Sequence, residues 1–357
     1  MSGGVDSAVA AGLLVGAGYR VFGVTMRLWT GQPGDEPSRG CCSLAGVQDA
    51  RETCAQLGIP HYVVDLSDEF ARDVVASFVD GYSRGVTPNP CTICNAKVRF
   101  DALLRIANDL GADRIATGHY ARTSTSQNSD RIQLLAAVCA SKDQSYMLYG
   151  LRQDHLRSAC FPLGSLPSKD ATRSIAAAMG LDVARRGDSQ DICFVGTQGY
   201  AAFLCDRAQG GFEPGPIVDD LGRVIGTHSG IVGYTVGQRR RLPASNRGRL
   251  FVVGIDAARN TVHVGPEERL LARGLIARSM NWVSIEPPED RLDVQARIRY
   301  NAPLVPATIC RRDDAVYCRF DFPQRAVAPG QAVVFYDGDR VLAGGTIVEA
   351  VAEDMVP

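Results

Sequence analysis

Lysine is nearly absent from this sequence of 357 residues, in which only Lys97, Lys142 and Lys169 occur. Almost all of the positive charge is therefore arginine. The 38 lysines and arginines are balanced by 39 aspartates and glutamates, for a formal net charge of −1. This balance excludes a protein that coats nucleic acid with a uniformly basic surface, but it allows a local basic patch. A lysine inside a motif is also more informative here than in a lysine-rich chain.

Long apolar runs are also lacking, which argues against a transmembrane helix. The apolar stretch at residues 8–18 is shorter than the roughly 20 residues that span a bilayer, and Asp6 rather than a basic region precedes it. The 11 cysteines are an odd number scattered along a large chain, unlike a secreted disulfide framework. We therefore expect a cytoplasmic protein with no membrane contact. Six cysteines among apolar neighbours are expected in the core: Cys54, Cys139, Cys160, Cys205, Cys310 and Cys318.

The first 190 residues alternate between short β-branched runs and helical stretches. The predicted strands are 19–26, 62–66 and 114–117, and the helices between them are 47–57 and 98–110. Such alternation is typical of a parallel sheet with helices on both faces. We therefore predict an α/β domain with a doubly wound parallel sheet over residues 1–200.

After about residue 210 the pattern changes, because glycine and proline become dense and short alternating runs appear. These runs predict antiparallel strands at residues 250–255, 261–264, 292–300, 332–336 and 341–348. We place two small, mainly β domains here, at 201–271 and 272–357. The run of Arg239, Arg240 and Arg241 would suit phosphate groups, although a solvated charged surface explains it nearly as well.

The first chemical motif is the string Ser2, Gly3, Gly4, Val5, Asp6 and Ser7, which precedes an apolar helix pattern at 8–15. Two glycines and a helix N-terminus turn several N–H groups toward one point and form an anion-binding nest. The lysine of the common phosphate-binding loop is missing. A glycine turn with a helix-capping Asp or Ser is the simpler alternative.

The second motif places Cys91 and Cys94 three residues apart, after Pro88 and Pro90. The prolines predict an extended turn before the helix at 98–110. Cysteines near a helix start have depressed pKa values and are reactive. The spacing alone fits a redox dithiol, half a zinc site, part of an iron–sulfur site, or two incidental cysteines.

A third motif, at residues 187–196, surrounds Cys193 with polar residues ahead of a short apolar run. Taken alone, it fits a strand end with a buried cysteine equally well.

Together and in this order, these motifs resemble the bacterial tRNA-specific 2-thiouridylases, a family of PP-loop ATP pyrophosphatases. The resemblance covers essentially the whole length, in blocks at residues 2–7, 24–26, 40–43, 87–95, 116–122, 142–146, 188–196, 233–239 and 329–331. In enzymes with such a loop a strand runs into it, whereas this sequence begins at Met1. We expect a strand of about 5–6 residues to be missing; either the start lies too late or the sheet lacks an inner strand.

The resemblance implies a set of site residues. Those expected to bind ATP are Ser2, Gly3, Gly4, Val5, Asp6, Ser7, Met26 and Gly118. Those expected to bind tRNA, at the anticodon loop and its wobble uridine, are Asn89, Pro90, Cys91, His119, Lys142, Asp143, Gln144, Arg299, Tyr300 and Gln331. For His119 a capped loop histidine is the simpler alternative.

The resemblance also implies the chemistry. ATP with Mg²⁺ would adenylate the C2 oxygen of the uridine, Cys193 would carry sulfur as a persulfide, and Cys94 would close a transient disulfide with it. A cysteine desulfurase or a sulfur-relay protein would supply the sulfur. Some relatives carry Asp where Cys91 stands, so Cys91, Cys94 and Cys193 could instead ligate a [4Fe–4S] cluster.

Two rival functions explain only part of the pattern. Another PP-loop adenylating enzyme, such as an amide-forming ligase or a lysidine synthase, would account for residues 2–7 but not for the three cysteines. A redox or metal-binding module would account for the cysteines but not for the nucleotide loop.

Overall fold

The structure is a computed structural model that describes residues 1–29, 44–125, 129–185, 192–195, 199–205, 207, 213–245 and 248–352. The motif residues 40–43 and 187–191 lie outside these ranges. Within them, no helix is both long enough and apolar enough to cross a membrane.

Nine α-helices occur in the described residues, most of them short. In chain order they are α1 (Val5–Gly16), α2 (Leu44–Gln56), α3 (Ser67–Phe70), α4 (Ala76–Ser83), α5 (Pro90–Ile93), α6 (Phe100–Leu110), α7 (Gln153–Ser158), α8 (Lys169–Ala178) and α9 (Tyr200–Cys205). Two π-helical segments, Ala71–Val75 and Cys94–Arg99, join α3 to α4 and α5 to α6.

The strands become longer toward the C-terminus of the chain. In chain order they are β1 (Gly23–Arg27), β2 (His61–Asp65), β3 (Ile115–Ala116), β4 (Ala121–Thr125), β5 (Ile132–Ala136), β6 (Ala159–Cys160), β7 (Gly215–Val218), β8 (Val224–His228), β9 (Phe251–Asp256), β10 (Thr261–Gly265), β11 (Leu271–Asn281), β12 (Leu292–Arg297), β13 (Val305–Arg312), β14 (Ala315–Arg325), β15 (Ala332–Asp337) and β16 (Arg340–Val351).

The chain divides into two units, of which the first comprises Met1–Val74, Cys91–Gly199 and Asp339–Val341. Its parallel strand pairs are β1 with β2 and β3 with β6. Helix α1 packs against α8 through a core that includes Val9, Tyr120, Leu163 and Ala176. The predicted α/β class with parallel strands is therefore confirmed. The sequence analysis did not predict the antiparallel hairpin of β4 and β5.

The second unit comprises Val75–Pro90, Tyr200–Gly338 and Leu342–Pro357. It contains a four-stranded sheet in the order β8-β7-β10-β9 and a larger sheet in the order β11-β14-β13-β12-β15-β16. The larger sheet closes into a barrel because β11 also pairs with β16. Inward side chains such as Leu275, Ile309 and Phe335 are completely buried in its core.

Several details differ from the sequence predictions. Pro90 begins a helix instead of continuing an extended turn, because the missing N–H of proline costs nothing at the first helical position. Strand β2 is not buried, since Tyr62 and Val63 are 47% and 45% exposed and β1 is its one hydrogen-bonded neighbour among the described strands. The pairing of β10 with β7 is parallel instead of antiparallel.

The prediction that six cysteines lie in the core holds only in part. Cys54, Cys139 and Cys318 are buried, whereas Cys160 and Cys310 are half-buried. Cys205 is exposed at the last position of the short helix α9, in which Phe203 and Leu204 are the buried residues. The prediction from apolar sequence neighbours therefore overestimated the burial of the Cys205 thiol.

Candidate functional site

The glycine-rich loop at residues 2–7 folds tightly into the first turn of α1, which begins at Val5. Gly3 adopts a left-handed φ of +73°, and a Cβ there would fall 2.5 Å from the carbonyl oxygen of Gly46, so only glycine fits. Ser7 Oγ accepts a hydrogen bond from the backbone N–H of Ser2 at 3.1 Å and donates to the carbonyl of Gly4 at 3.0 Å. The loop is thus closed by its own serines, with the N-terminus of α1 behind it.

Gly118 brings a second backbone segment against this loop. It follows β3 by two residues, and a Cβ on it would fall 2.8 Å from both the carbonyl carbon of Asp6 and the amide nitrogen of Ser7. Any side chain here would push into the loop. Met26 lies at the carboxyl end of β1 and is half-buried. Residues at the carboxyl ends of parallel strands border the usual ligand crevice of such sheets.

Asp6 is held by a network that the sequence analysis did not predict. Lys169 Nζ lies 2.7 and 2.8 Å from its two carboxylate oxygens, and the hydroxyl of Tyr120 donates to Asp6 Oδ1 at 2.9 Å. The same hydroxyl lies 2.7 Å from Thr172 Oγ1. Tyr120 is 2% exposed and Lys169 is 8% exposed, whereas the Asp6 side chain is 35% exposed. The scarcity of lysine was the one signal that could have pointed to Lys169.

His119 lies beside Gly118 in an aromatic setting. Its Nδ1 is 2.9 Å from Thr117 Oγ1, and its ring centroid is 6.2 Å from that of Phe100 and 6.4 Å from that of Phe161. Burial, with a smaller effect of Arg99, lowers the pKa of His119 to about 3. The imidazole is therefore neutral at pH 7 and could serve a ligand by hydrogen bonding or stacking, not as a cation.

The segment 142–144 is mostly directed inward. The buried Asp143 accepts hydrogen bonds from the amides of Ala137 and Ser145, both at 3.1 Å. Gln144 Oε1 accepts from the amide of Tyr120 at 2.9 Å, and the amide of Gln144 donates to the carbonyl of Tyr120 at 2.8 Å. Both residues thus shape the loop that carries His119, and Lys142 is the half-exposed cation beside them.

Cys91 and Cys94 lie on α5 and at the start of the π-helical segment that follows it. Cys91 is exposed, whereas Cys94 is buried. Asn95, 6% exposed, donates from Nδ2 to the carbonyl of Met147 at 3.1 Å and fixes this segment. π-helical insertions often occur at functional sites. The expected position of both thiols near a helix start is thereby confirmed.

Cys193 lies in the described stretch 192–195, in a turn closed by a hydrogen bond from the amide of Val195 to the carbonyl of Ile192. It is half-buried. The neighbouring Phe194 is 1% exposed and packs edge-on against Phe70 at 5.5 Å between centroids. The aromatic contact fixes the backbone at Cys193 in the same unit as the loop.

The three cysteines do not meet around a position for a single metal ion. Among the described residues, which include all three thiols, no group of three or more His, Cys, Asp or Glu side chains could hold a metal ion. The described residues therefore offer no single-ion site at these cysteines, and an iron–sulfur cluster held by Cys91, Cys94 and Cys193 stays a prediction.

The other predicted tRNA-binding residues belong to the second unit. Asn89 and Pro90 precede Cys91 directly, Arg299 is exposed and Tyr300 is half-buried. Gln331 donates from Nε2 to the carbonyl of Thr87 at 2.9 Å. The side-chain amide of Gln331 is therefore engaged within the protein.

The basic run of Arg239, Arg240 and Arg241 forms an exposed turn in the same unit. Tyr234 donates to the carbonyl of Arg241 at 3.2 Å, and Gln238 donates to that of Arg240 at 3.0 Å. No described carboxylate forms a salt bridge with these three arginines. The turn is held through its backbone, which leaves the charged side chains to solvent.

Family models match the chain along nearly its whole length. One described as a tRNA methyl transferase HUP domain matches residues 1–197. It is followed by a tRNA methyl transferase PRC-barrel domain at 201–266 and an aminomethyltransferase beta-barrel domain at 272–347.

Curated relatives match over the same length. The tRNA-specific 2-thiouridylase MnmA of Heliobacterium modesticaldum is 44% identical over 351 residues, which are 98% of this chain and 91% of the relative. Its namesake in Geobacter metallireducens is 46% identical over 358 residues, 99% of this chain and 96% of the relative. The tRNA-specific 2-thiouridylase MnmA of Symbiobacterium thermophilum is 46% identical over 357 residues, which are 98% of this chain and 91% of the relative.

Proposed function

The chain belongs to the tRNA-specific 2-thiouridylase family, and from this membership we propose that it catalyses the ATP-dependent 2-thiolation of the wobble uridine of tRNA. One observation carries the proposal beyond family membership: the unit that holds the nucleotide loop also holds Cys91, Cys94 and Cys193. An adenylating ligase needs only the loop, and a redox module needs only the thiols. We place the reaction in the cytoplasm, where tRNA and thiol reductants occur.

The first step activates a poor leaving group. The C2 oxygen of uridine attacks the α-phosphorus of ATP, an O–P bond forms, and pyrophosphate leaves. The backbone amides of residues 2–7 and the N-terminus of α1 stabilise the negative charge of the departing pyrophosphate. Met26 and Gly118 border the nucleotide. Proteins commonly bind Mg²⁺ through one or two carboxylates together with substrate phosphates. Asp6, the carboxylate of the loop, would therefore hold the Mg²⁺ ion, which would neutralise phosphate charge when bound there.

The second step transfers sulfur. The terminal sulfur of a Cys193 persulfide attacks C2 of the adenylated uridine, and the C2–O bond breaks as AMP leaves. The Cys94 thiolate attacks Sγ of Cys193, which breaks the persulfide S–S bond and leaves sulfur on C2. A Cys94–Cys193 disulfide results, and a thiol reductant restores both thiols. A cysteine desulfurase or a sulfur-relay protein supplies the next persulfide sulfur.

Recognition of tRNA requires the wobble base to leave the anticodon stack, which a loop nucleotide does at modest cost. We assign contact with the base to Asn89, Pro90 and Cys91. The neutral ring of His119 would stack on or hydrogen-bond the RNA, and Lys142 would reach a phosphate. Asp143 and Gln144 would act by shaping the loop beside Tyr120. Arg299 and Tyr300 provide contacts from the barrel.

The experiment is a complementation test in a strain that lacks the gene, read by mass spectrometry of tRNA nucleosides. Wild-type protein should restore 2-thiouridine at the wobble position. Ser7→Ala should not, because the hydroxyl that bridges Ser2 and Gly4 is lost and the loop opens. Loss of a lysidine, or an unchanged nucleoside profile in the deletion strain, would contradict the proposal and favour the rival adenylating ligase or redox module.

A further inference from the structure

The segment that leads to the cysteine motif is held by a turn of the barrel. The backbone amide of Thr87 donates to the carbonyl of Pro329 at 2.9 Å. The carbonyl of Thr87 accepts from Gln331 Nε2, also at 2.9 Å. Both backbone hydrogen-bonding groups of Thr87 are therefore taken by residues 329–331, which we call the barrel turn. These residues all lie in the second unit.

The backbone of the barrel turn approaches the backbone of Thr87 as closely as glycine permits. Gly330 has a φ of +91°, and a Cβ on it would fall 2.8 Å from the amide nitrogen and 3.0 Å from the carbonyl oxygen of Thr87. A side chain would displace the segment. Glycine at position 330 thus allows both the close approach to Thr87 and the left-handed backbone conformation.

The barrel turn is itself firmly anchored. The amide of Gly330 donates to the carbonyl of Ile347 in β16, and the amide of Ile347 donates to the carbonyl of Gln331, both at 2.8 Å. Val327 and Ala328, just before the turn, are 2% and 7% exposed. The turn is therefore part of the barrel wall, and Thr87 is fixed to a rigid element.

The position of Thr87 is transmitted along the chain. Only Pro88, Asn89 and Pro90 separate it from Cys91, and the two prolines have a nearly fixed φ. Pro88 is also confined by α4, since a Cβ on Gly81 would fall 2.9 Å from Pro88 Cγ. Few backbone rotations remain that could move Asn89 and Pro90 independently of Thr87.

We infer that Gln331 is a positioning residue, which holds the Thr87–Pro90 stretch so that Asn89 and Pro90 present one fixed surface to the target base. This inference rests on the proposed function. It differs from the resemblance, which assigns Gln331 to direct tRNA contact, because the side-chain amide of Gln331 already donates one of its two N–H groups to Thr87.

The variant Gln331→Met keeps the side-chain length and removes the donor. Since a neutral hydrogen bond contributes a factor of about three to ten to a local equilibrium, hydrogen exchange at the Thr87 amide should become about three- to tenfold faster. The thiolation rate at saturating tRNA should fall by a similar factor, while the tRNA dissociation constant stays within about twofold. Gln331→Glu should have a larger effect, because a carboxylate would face the Thr87 carbonyl.

Two control variants separate positioning from general damage. Gln324→Met removes the same kind of donor from the same barrel, where Gln324 Nε2 donates locally to Phe322 at 2.8 Å. It should change neither exchange nor thiolation. Thr87→Val should leave hydrogen exchange at the amide of residue 87 unchanged, since the barrel turn uses only the backbone there.

Weaker tRNA binding by Gln331→Met with unchanged Thr87 exchange would overturn the inference in favour of direct contact, and unchanged exchange and thiolation would overturn it outright. If wild-type protein makes no 2-thiouridine, the proposed function fails. The exchange rate of the Thr87 amide then decides the inference alone: faster exchange in Gln331→Met than in the wild type supports it, and no change refutes it.

Discussion

The ammonium group of Lys169 contacts both carboxylate oxygens of Asp6, at 2.7 and 2.8 Å, and so joins the first residue of α8 to the nucleotide loop. A cation at a helix N-terminus is opposed by the helix dipole, and Lys169 is nearly buried. Its position is therefore unfavourable for α8 alone. The contact with Asp6 offsets that cost. The ammonium group of Lys169 is thereby held beside the phosphate-binding loop.

Replacing Lys169 should impair nucleotide chemistry. We expect Lys169→Met to lower the rate of ATP-dependent thiolation roughly 100-fold, a typical loss for one preorganised electrostatic contact. Affinity for tRNA should not change, because Lys169 is buried. The measurements are single-turnover thiolation and ATP binding by calorimetry. Lys97→Met, at an exposed lysine, is the matched control and should bind ATP normally. Normal ATP binding and thiolation in Lys169→Met would remove this lysine from the site.

His119 should make the folded state sensitive to acid. Its pKa is lowered to about 3 in the fold, against about 6.5 in an unfolded chain. The unfolded state therefore binds more protons below pH 6.5, and the stability from neutral His119 is lost as pH falls from 6.5 toward 3. At pH 5 the loss should be about 1–2 kcal/mol.

Urea unfolding at pH 7.5 and pH 5 tests this. The free energy of unfolding should fall less between pH 7.5 and pH 5 in His119→Gln than in the wild type, by about 1–2 kcal/mol. Burial also lowers the pKa values of His155 and His228, but these residues are present in both proteins and cancel in the comparison. Equal acid sensitivity of variant and wild type would show that His119 does not carry the effect.

The arginine turn should contribute to tRNA binding through phosphate charge. A variant with Arg239→Gln, Arg240→Gln and Arg241→Gly should bind tRNA more weakly, and its salt slope should be shallower by about 1 for each lost contact. Glycine is chosen at Arg241 because that residue has a φ of +66°, where glycine is unstrained. Thermal stability should therefore be kept, so that weaker binding cannot be attributed to unfolding.

Arg223→Gln is the control for the arginine turn, because Arg223 is already paired with Asp219 at 2.6 Å. It removes one positive charge from the same unit, as each substitution in the arginine turn does, and should leave the salt slope unaltered. A triple variant with the wild-type slope would assign the turn to ordinary solvated surface.

Local patterns predicted the parts of the site that lie within a few residues of one another. The first helix, which begins at Val5 inside the glycine-rich motif, the strand end at Met26 and the helix start near Cys91 all follow from short-range spacing and turn chemistry. The contacts between Asp6 and Lys169 and between Thr87 and Gln331 did not follow, since each joins residues more than 160 positions apart and depends on how α8 and the barrel turn pack. The exposure of Cys205 was missed for another reason, since its apolar sequence neighbours do not show that it ends a short helix.

The role of Cys91 distinguishes the persulfide route from a cluster-dependent one. If sulfur travels by persulfide, Cys91→Ser should retain measurable thiolation, whereas Cys94→Ser and Cys193→Ser should have none, because only those two thiols exchange sulfur. Peptide mapping of aerobically purified protein should then find a Cys94–Cys193 disulfide.

A cluster-dependent enzyme would give a different pattern in the same three variants. Each cysteine would be a ligand, so that Cys91→Ser would be as inactive as the other two, and visible absorption from iron would vanish with it. Anaerobic purification with an iron and sulfide assay measures this directly. The exposed position of Cys91 and the buried position of Cys94 favour separate tasks for the two thiols, so we expect the first pattern. A fully active Cys193→Ser variant would contradict both routes, because no sulfur carrier would then remain at the site.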